Sequence, residues 1–449
     1  MISLHNPRIF STSRIIMLGF LGVILIGTLL LMLPFATKTP GGASFLDALF
    51  TATSATCVTG LIVQDTATYW SEFGQIVILL LIQIGGLGVV TVAVAIALFS
   101  GKKIGLMQRT TLQEAISAPN VGGIVKLTGF ILRSVAVIEL TGAILLAIPF
   151  VRDYGLLKGI WYGIFHSISA FCNAGFDLMG FREKFSSLTY YSGDVIVNLV
   201  IMLLIIIGGL GFLSWEDVRT HRFHIQRYRM QTKIIFSVTA FLLVVPFFYF
   251  LFVEFSGAQW ESLSIGEKIF AAMFQTVSPR TAGFNTVDLN ALKESGQAVT
   301  ILLMLIGGSP GSTAGGMKTT TIAVLLLTAF AVFNRKDDAQ CFGRRIAKDV
   351  VVSAATIFIM FVSLVSLGAI VISCVDGVPM LDAMFETASA IATVGLTLGI
   401  TTELSMVSRL VLITLMFIGR VGGLTLIFAT ISAKQTHLSK MPQEKITVG

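Results

Sequence analysis

The chain alternates long and short apolar stretches in an order that recurs four times. The first long stretches lie at 15–35, 127–149, 233–253 and 350–374. Shorter apolar segments follow at 45–56, 158–171, 266–278 and 380–391, and second long stretches at 74–99, 191–214, 299–333 and 407–431. Because about 20 helical residues are needed to cross a bilayer core, the long stretches predict eight transmembrane helices. The short ones predict four re-entrant helices that are buried in protein or line a cavity.

A polar loop that ends in glycine follows each short segment. The four loops are Phe50-TATSATCVT-Gly60, Phe165-HSISAFCNA-Gly175, Phe274-QTVSPRTA-Gly283 and Phe385-ETASAIATV-Gly395. The glycines are separated by 115, 108 and 112 residues, which indicates one duplicated unit. We therefore predict an all-α integral membrane protein with a single transmembrane domain, 1–449, around a central pore. Its four membrane–pore loop–membrane repeats are expected at about 1–103, 104–232, 233–345 and 346–449.

The loops are candidates for a cation selectivity filter. Backbone carbonyls can replace the water around a bare potassium ion, and glycine adopts the required backbone most readily. A short helix whose C-terminal end faces the ion adds partial negative charge. A single loop of this kind would be interpreted as a plain turn, but four in register favour a filter. The predicted ion-binding residues are Val58, Thr59, Gly60, Asn173, Ala174, Gly175, Thr281, Ala282, Gly283, Thr393, Val394 and Gly395.

Composition and charge support a membrane location and indicate a topology. Hydrophobic residues make up 55% of the chain and charged residues 12%, whereas soluble domains carry about a quarter charged residues. Positive charge marks cytoplasmic loops, so both termini and three long junctions are expected in the cytoplasm. The basic residues concerned are Arg8, Arg14, Lys102, Lys103, Arg109, Lys126, Arg133, Arg219, Arg222, Arg227, Arg229, Lys233, Arg335, Lys336, Arg344, Arg345, Lys348, Lys434, Lys440 and Lys445.

The third of the second spans contains a polar insert, Gly307-Gly-Ser-Pro-Gly-Ser-Thr-Ala-Gly-Gly-Met-Lys318. A helix that is interrupted at membrane depth must be buried in protein or line a water-filled cavity. The alternative is a kinked helix in a tightly packed interface. A phosphate-binding loop is excluded, because Met317 separates Gly316 from Lys318 and no strand precedes the segment. We therefore expect no nucleotide on this chain. This span is the only one that the sequence predicts to be broken.

The loop sequences SATCVTGL, SAFCNAGF, SPRTAGF and IATVGL resemble those of the Trk/Ktr/HKT superfamily of cation transporters. Within it, the chain is similar to the membrane subunits of bacterial Ktr potassium uptake systems. The resemblance implies potassium selectivity, because a serine in the first loop goes with sodium permeability and this chain has Gly60. It also implies a homodimer with one pore per protomer, a cytosolic KtrA-like ring that binds nucleotide, and a multi-pass position in the bacterial cytoplasmic membrane.

The resemblance further makes the polar insert a gate beneath the filter. The gate residues are expected to be Gly311, Ser312, Thr313, Ala314, Gly315, Gly316, Lys318 and Arg420. An arginine at the bilayer centre costs about 2.5–3.5 kcal/mol, so Arg420 is expected to face the bundle interior and donate to carbonyls of the insert. The alternative is an arginine that snorkels to the inner interface. Arg280, three residues before its glycine, is expected to point away from the pore into a satisfied network.

Two other functional classes were compared with a pore. A secondary transporter usually carries intramembrane carboxylates and broken helices in matching halves, whereas these spans hold almost no acidic residues. A membrane enzyme would need clustered nucleophiles, bases or metal ligands, and His166, His221 and His224 lack metal-binding spacing. We therefore expect channel-like potassium uptake by a protein that is not an enzyme. The alternative is a secondary cation transporter or a sodium-permeable member of the same superfamily.

Overall fold

A computed structural model describes residues 11–100, 104–116 and 122–430. The described chain is mainly helical. Its α-helices are α1 Thr12–Leu31, α2 Phe45–Cys57, α3 Glu72–Leu87, α4 Val89–Phe99, α5 Leu106–Ile116, α6 Ile124–Tyr154, α7 Leu156–Phe171, α8 Val195–Gly209, α9 Phe212–His221, α10 Met230–Tyr249, α11 Ile265–Val277, α12 Glu294–Leu305, α13 Thr319–Phe333, α14 Lys348–Asp376, α15 Met380–Ala392, α16 Met406–Val421 and α17 Gly423–Thr430.

Shorter elements complete the described structure. A π-helical turn at Phe250–Glu254 continues α10. An antiparallel hairpin pairs β1, Gln340–Cys341, with β2, Arg344–Arg345. The 3-10 turns lie at Pro34–Ala36, Thr189–Tyr191, Ile225–Arg227, Ala258–Trp260, Leu289–Ala291 and Ile400–Thr402. Of the basic residues that predict topology, Arg8, Lys102, Lys103, Lys434, Lys440 and Lys445 lie outside the described residues.

Four of the helices are long and apolar enough to cross a membrane. They are α1, α6, α10 with its π-helical extension, and α14, and they coincide with the predicted first spans. Their lengths are 20, 31, 25 and 29 residues, so each reaches the length that a bilayer core requires. Much of their surface is apolar and exposed, as expected for helices that face lipid.

The four short helices α2, α7, α11 and α15 coincide with the predicted re-entrant segments. Two begin at a serine cap: the Ser44 hydroxyl accepts from the Asp47 amide at 3.1 Å, and Ser264 and Glu267 form a reciprocal capping box. Each short helix buries the phenylalanine with which the quoted loop sequence begins. Its exposed fraction is at most 1% at Phe50, Phe165, Phe274 and Phe385. These helices are therefore held inside the protein, as a segment too short to span must be.

The prediction that only one second span is broken is wrong. The chain also breaks between α3 and α4 at Gly88, between α8 and α9 at Leu210–Gly211, and between α16 and α17 at Gly422. The first two pairs are bent by 96° and 93°. Gly88, Gly211 and Gly422 have φ values of +87°, +86° and +90°, a conformation that glycine adopts without steric cost and that ends an α-helix.

We predict that Gly211→Ala destabilises the protein, because two penalties meet at this residue. Its φ is positive, and an added Cβ would lie 2.6 Å from the Pro310 carbonyl oxygen. The substitution should lower the free energy of unfolding by about 1–3 kcal/mol, measured as a lower Tm in detergent. The control is Gly129→Ala in α6, where an added Cβ meets nothing within 4 Å and alanine favours the helix. Equal melting temperatures for the two variants would contradict the strained break.

Candidate functional site

The four glycine-ended loops share one backbone conformation. Each has a left-handed residue two positions before its glycine: φ is +57° at Val58, +58° at Asn173, +69° at Thr281 and +52° at Thr393. The glycines themselves have φ values of +94°, +69°, +82° and +94°. The third loop is one residue shorter and still has this register. Because left-handed backbone is costly for residues with a side chain, its recurrence at four positions indicates a shared structural requirement.

The loops contact one another in a closed ring. A Cβ added to Gly60 would lie 2.5 Å from the Ala174 carbonyl oxygen, and one added to Gly175 would lie 2.7 Å from that of Ala282. In the same way Gly283 packs on the Val394 carbonyl, and Gly395 packs on the Thr59 carbonyl. Each loop therefore touches the next, and the fourth returns to the first. Side chains are excluded from these four positions by the neighbouring backbone as well as by φ.

A serine in each loop, which the sequence analysis did not assign, fastens the loop to the end of its short helix. The Ser54 and Ser389 hydroxyls accept from the amides of Gly60 and Gly395 at 3.1 and 3.0 Å. The Ser169 hydroxyl donates to the Phe176 carbonyl at 2.7 Å, and the Ser278 hydroxyl donates to that of Phe284. The recurrence of serine five or six residues before every glycine was the available signal.

The second spans approach the short helices through their paired small residues. Gly85, Gly208 and Gly419 pack against the carbonyls of Thr56, Phe171 and Ile391 respectively. These carbonyls belong to the C-terminal ends of α2, α7 and α15, where a helix carries partial negative charge. Small residues allow this close packing. These glycines belong to Ile84-Gly-Gly, Ile207-Gly-Gly and Ile418-Gly-Arg, and they therefore set the positions of helix ends that point toward the ring.

The polar insert 307–318 lies directly against the ring. Gly315 packs on the side chain of Thr393 in the fourth loop. The Thr313 hydroxyl is 3.0 Å from the Phe171 carbonyl and 3.2 Å from Asn173 Oδ1, in the second loop. The insert also bonds the break between α8 and α9, where the Phe212 amide donates to the Gly311 carbonyl at 2.8 Å. The predicted gate residues and filter residues are therefore in direct contact.

Asn173 is the main departure from symmetry within the ring. The other three loops carry valine or threonine at this position. The Asn173 amide nitrogen is 3.4 Å from both the Arg280 carbonyl and the Thr281 hydroxyl of the third loop. Its carbonyl oxygen accepts from Thr313 of the insert. One side chain thus joins the second loop, the third loop and the insert.

Arg420 connects the insert to a different repeat. Its guanidinium donates to the Thr313 carbonyl and to the carbonyls of Gly85 and Gly86 at the end of α3, the last at 3.2 Å. It is half-buried and faces the bundle interior. Backbone carbonyls at the break after α3 are thus bound by the same side chain that holds the insert. The geometry favours the interior arginine over one that snorkels to the interface.

Most of the remaining gate residues border a cavity of 340 Å³. The Lys318 ammonium folds back on its own segment and donates to the carbonyls of Ala314 and Gly315 at 2.9 and 3.3 Å. Gly311, Ser312 and Gly316 line the cavity, together with Arg420 and the residues at the breaks after α3 and α16. The insert therefore separates this cavity from the ring.

The prediction for Arg280 is correct in direction and wrong in detail. The side chain leaves the loop toward α10, where its terminal nitrogen is 3.4 Å from the Thr239 hydroxyl. It is 4% exposed, and its Nε has no hydrogen-bond partner among the described residues. The expected satisfied network is therefore incomplete. In the described part of the chain, the hydrogen bond of its side chain goes to a neutral hydroxyl.

Carboxyl groups lie within helices α6 and α15. Glu139 lies at the middle of α6, and Gln83 of α3 donates to it at 3.1 Å. Glu386 of α15 is completely buried. The scarcity of intramembrane carboxylates and of broken spans was the argument against a coupled transporter. More spans are broken than predicted, whereas Glu139 is one of the few acidic residues that the predicted spans contain. Among the described residues, no group of three or more His, Cys, Asp or Glu side chains could hold a metal ion.

Comparisons with known proteins agree with this architecture. The family model TrkH, described as a cation transport protein, matches residues 11–441. The chain is 40% identical to the potassium/sodium uptake protein NtpJ of Enterococcus hirae, over 98% of this chain and 97% of that protein. It is 40% identical to the Ktr system potassium uptake protein B of Bacillus subtilis over the same shares, and 36% identical to that of Vibrio alginolyticus, over 97% of this chain and 94% of that protein.

A solved structure supports the fold independently. The potassium transporter TrkH from Vibrio parahaemolyticus matches with a TM-score of 0.69 and 23% identity, over 95% of this chain and 86% of that chain. The family model covers nearly the whole chain, and the sequence relatives extend from end to end. The protein therefore belongs to the TrkH family of cation transport proteins.

Proposed function

We propose that this protein takes up potassium across the bacterial cytoplasmic membrane through a channel-like pore. The observation that carries the proposal is the closed ring of four glycine-ended loops, each at the C-terminal end of a short buried helix. The ion would be bound by backbone carbonyls of the twelve residues 58–60, 173–175, 281–283 and 393–395. The relatives from B. subtilis and V. alginolyticus are named for potassium uptake.

The chemistry of the ring suits a weakly bound, dehydrated cation. None of the twelve residues carries a charged side chain, so the site offers only dipoles. Carbonyls replace the hydration shell, and the ends of α2, α7 and α15 add partial negative charge. Binding by dipoles is strong enough for the ion to enter and weak enough for it to leave. A ring of carboxylates would hold a cation much more strongly.

The insert 307–318 is proposed to act as the gate. It contacts the ring on one side and the 340 Å³ cavity on the other, so an ion that leaves the ring must pass it. Arg420 joins it to the end of α3 through three backbone carbonyls. A guanidinium at this place opposes a cation by its charge and holds the closed conformation by its hydrogen bonds.

The assembly is proposed from the names of the relatives and from charge. Three relatives, two from B. subtilis and one from V. alginolyticus, are named as proteins of a Ktr system, which fits a membrane component that works with a regulatory subunit. We propose a homodimer with a cytosolic nucleotide-binding ring, both termini in the cytoplasm, and four repeats at about 1–103, 104–232, 233–345 and 346–449. Each repeat then contributes a first span, a re-entrant helix and a second span, which gives eight membrane-crossing segments and four re-entrant helices.

Two observations favour a second candidate function within the same class. The E. hirae relative is named for potassium and sodium uptake, which favours a pore that also admits sodium. Glu139 within α6 and the additional breaks at Gly88, Gly211 and Gly422 favour ion-coupled transport. A coupled transporter would accumulate rubidium against its gradient when a sodium or proton gradient is imposed. A pore would only equilibrate it.

We predict that proteoliposomes carrying the protein take up rubidium much faster than sodium, and that Gly60→Ser lowers this ratio at least several-fold. Serine places a side chain against the Ala174 carbonyl at a residue with φ of +94°, so the ring must deform. The control is Gly22→Ser on α1, where an added Cβ meets nothing within 4 Å. Equal uptake of both ions by the unmodified protein would contradict a potassium filter.

We predict that Arg420→Gln raises the rubidium flux several-fold at equal protein in the membrane. The substitution removes the charge and the bonds to Thr313 and to the carbonyls of Gly85 and Gly86. The matched control is Arg409→Gln on the same helix, because Arg409 pairs with Asp47 at 3.3 Å and contacts neither the insert nor α3 in the described hydrogen bonds. An unchanged flux for Arg420→Gln with unchanged expression would exclude the gate role.

A further inference from the structure

In every repeat, a polar residue directly follows the phenylalanine with which the glycine-ended loop sequence begins, and its type differs each time. The four residues are Thr51, His166, Gln275 and Glu386. All four are buried within the short helices α2, α7, α11 and α15, with exposures of 1%, 0%, 3% and 0%. A buried polar side chain must find a hydrogen-bond partner or raise the free energy of the folded state. The partners of these four residues divide the repeats into two pairs.

In the second and fourth repeats this side chain accepts a hydrogen bond from a backbone amide that follows the loop glycine. His166 Nε2 accepts from the Leu178 amide at 3.3 Å, and Glu386 Oε1 accepts from the Leu398 amide, also at 3.3 Å. Both amides lie three residues after the loop glycine and twelve residues after the acceptor. A ring nitrogen and a carboxylate oxygen therefore make the same bond at equivalent positions.

Further bonds orient the two acceptors. His166 Nδ1 is 2.8 Å from the Tyr162 carbonyl, so the proton lies on Nδ1 and Nε2 is free to accept. The Glu386 carboxylate also accepts from the hydroxyls of Thr397 and Thr401, the latter at 2.8 Å. These additional hydrogen bonds therefore hold both side chains in the orientation in which they accept from the loop amide.

The first and third repeats lack this bond in the described part of the chain. The Thr51 hydroxyl has no hydrogen-bond partner there. Gln275 points elsewhere and donates to the Thr300 hydroxyl of α12 at 3.3 Å. The equivalent amides, those of Val63 and Thr286, receive no side-chain bond from this position. Among the described residues, only the second and fourth loops therefore have this bond at the amide three residues after the glycine.

We propose that His166 and Glu386 are positioning residues that hold two opposite walls of the ion filter rigid. The ring contacts run from the first loop to the second, third and fourth and back to the first, so the second and fourth loops face each other. Each is held at its glycine or at the next residue by Ser389 or Ser169, and three residues after its glycine by Glu386 or His166. Walls that cannot close onto a smaller ion favour the larger one, so the two residues set the preference for potassium over sodium. This inference rests on the proposed function.

The test compares loss of the bond with matched substitutions at the equivalent positions. His166→Leu and Glu386→Leu remove the acceptor, and Thr51→Val and Gln275→Leu are the controls. The readout is the ratio of rubidium to sodium flux in proteoliposomes. Because a buried hydrogen bond changes an equilibrium by up to about tenfold, each of the first two variants should lower the ratio by about that factor. Both controls should stay within about twofold of the unmodified protein.

A rescue variant separates the bond from general packing. His166→Gln places an amide oxygen where Nε2 stood, so it should restore the ratio to within about twofold. The His166→Gln variant also leaves out the effect of charge, because Glu386→Leu removes a carboxylate whereas His166→Gln replaces one neutral side chain with another. An unchanged ratio in His166→Leu, or an equal fall in Thr51→Val or Gln275→Leu, would overturn the proposal while leaving the filter itself intact. A ratio near one in the unmodified protein would instead overturn the proposed function, and the role in selectivity with it.

Hydrogen exchange of the unmodified protein tests the bond even where a variant fails to fold. The amides of Leu178 and Leu398 should exchange about tenfold more slowly than those of Val63 and Thr286. All four residues are buried to a similar degree, so burial alone predicts no such division. Equal exchange at the four amides would overturn the proposal.

Discussion

The structure depends on the close approach of four backbone segments with no side chain between them. Gly60, Gly175, Gly283 and Gly395 each lie against a carbonyl of the next loop, with φ values that other residues rarely adopt. Everything around the ring supports this approach. The short helices end at it, the glycines of α3, α8 and α16 allow those helix ends to pack closely, and a serine fastens each loop.

Control of the pore would come from departures from that fourfold pattern. Asn173 joins two loops to the insert, Arg420 joins the insert to the end of α3, and Arg280 is buried beside the Thr239 hydroxyl. A symmetric ring can bind an ion, but it contains no element that could block the ion path. The insert lies in one repeat only and contacts the second and fourth loops, so its displacement would affect the four walls of the ring unequally.

Much of the fold could be predicted from the sequence, because the membrane limits the possible lengths of apolar segments. The short helix α15, for example, was predicted at 380–391 and spans Met380–Ala392. The breaks at Gly88, Gly211 and Gly422 were not predicted, since a single glycine in an apolar run also occurs within helices. The insert 307–318 was visible because it combines several glycines with proline, serine and lysine.

The site was harder to predict, for two physical reasons. The bond between Arg420 and Gly85 joins residues 335 positions apart, so no local pattern indicates it. The equivalence of His166 and Glu386 is hidden because a nitrogen and an oxygen acceptor serve the same amide. The serines, in contrast, recur in every loop and could have been recognised.

The most direct test of the ring as an ion site is anomalous diffraction from crystals of the protein grown in rubidium chloride. We predict a rubidium peak on the axis between the four loops, in contact with the carbonyls of Thr59, Ala174, Ala282 and Val394. A ring without rubidium, and a peak instead beside Glu139 within the membrane, would contradict it and indicate carboxylate-coupled transport.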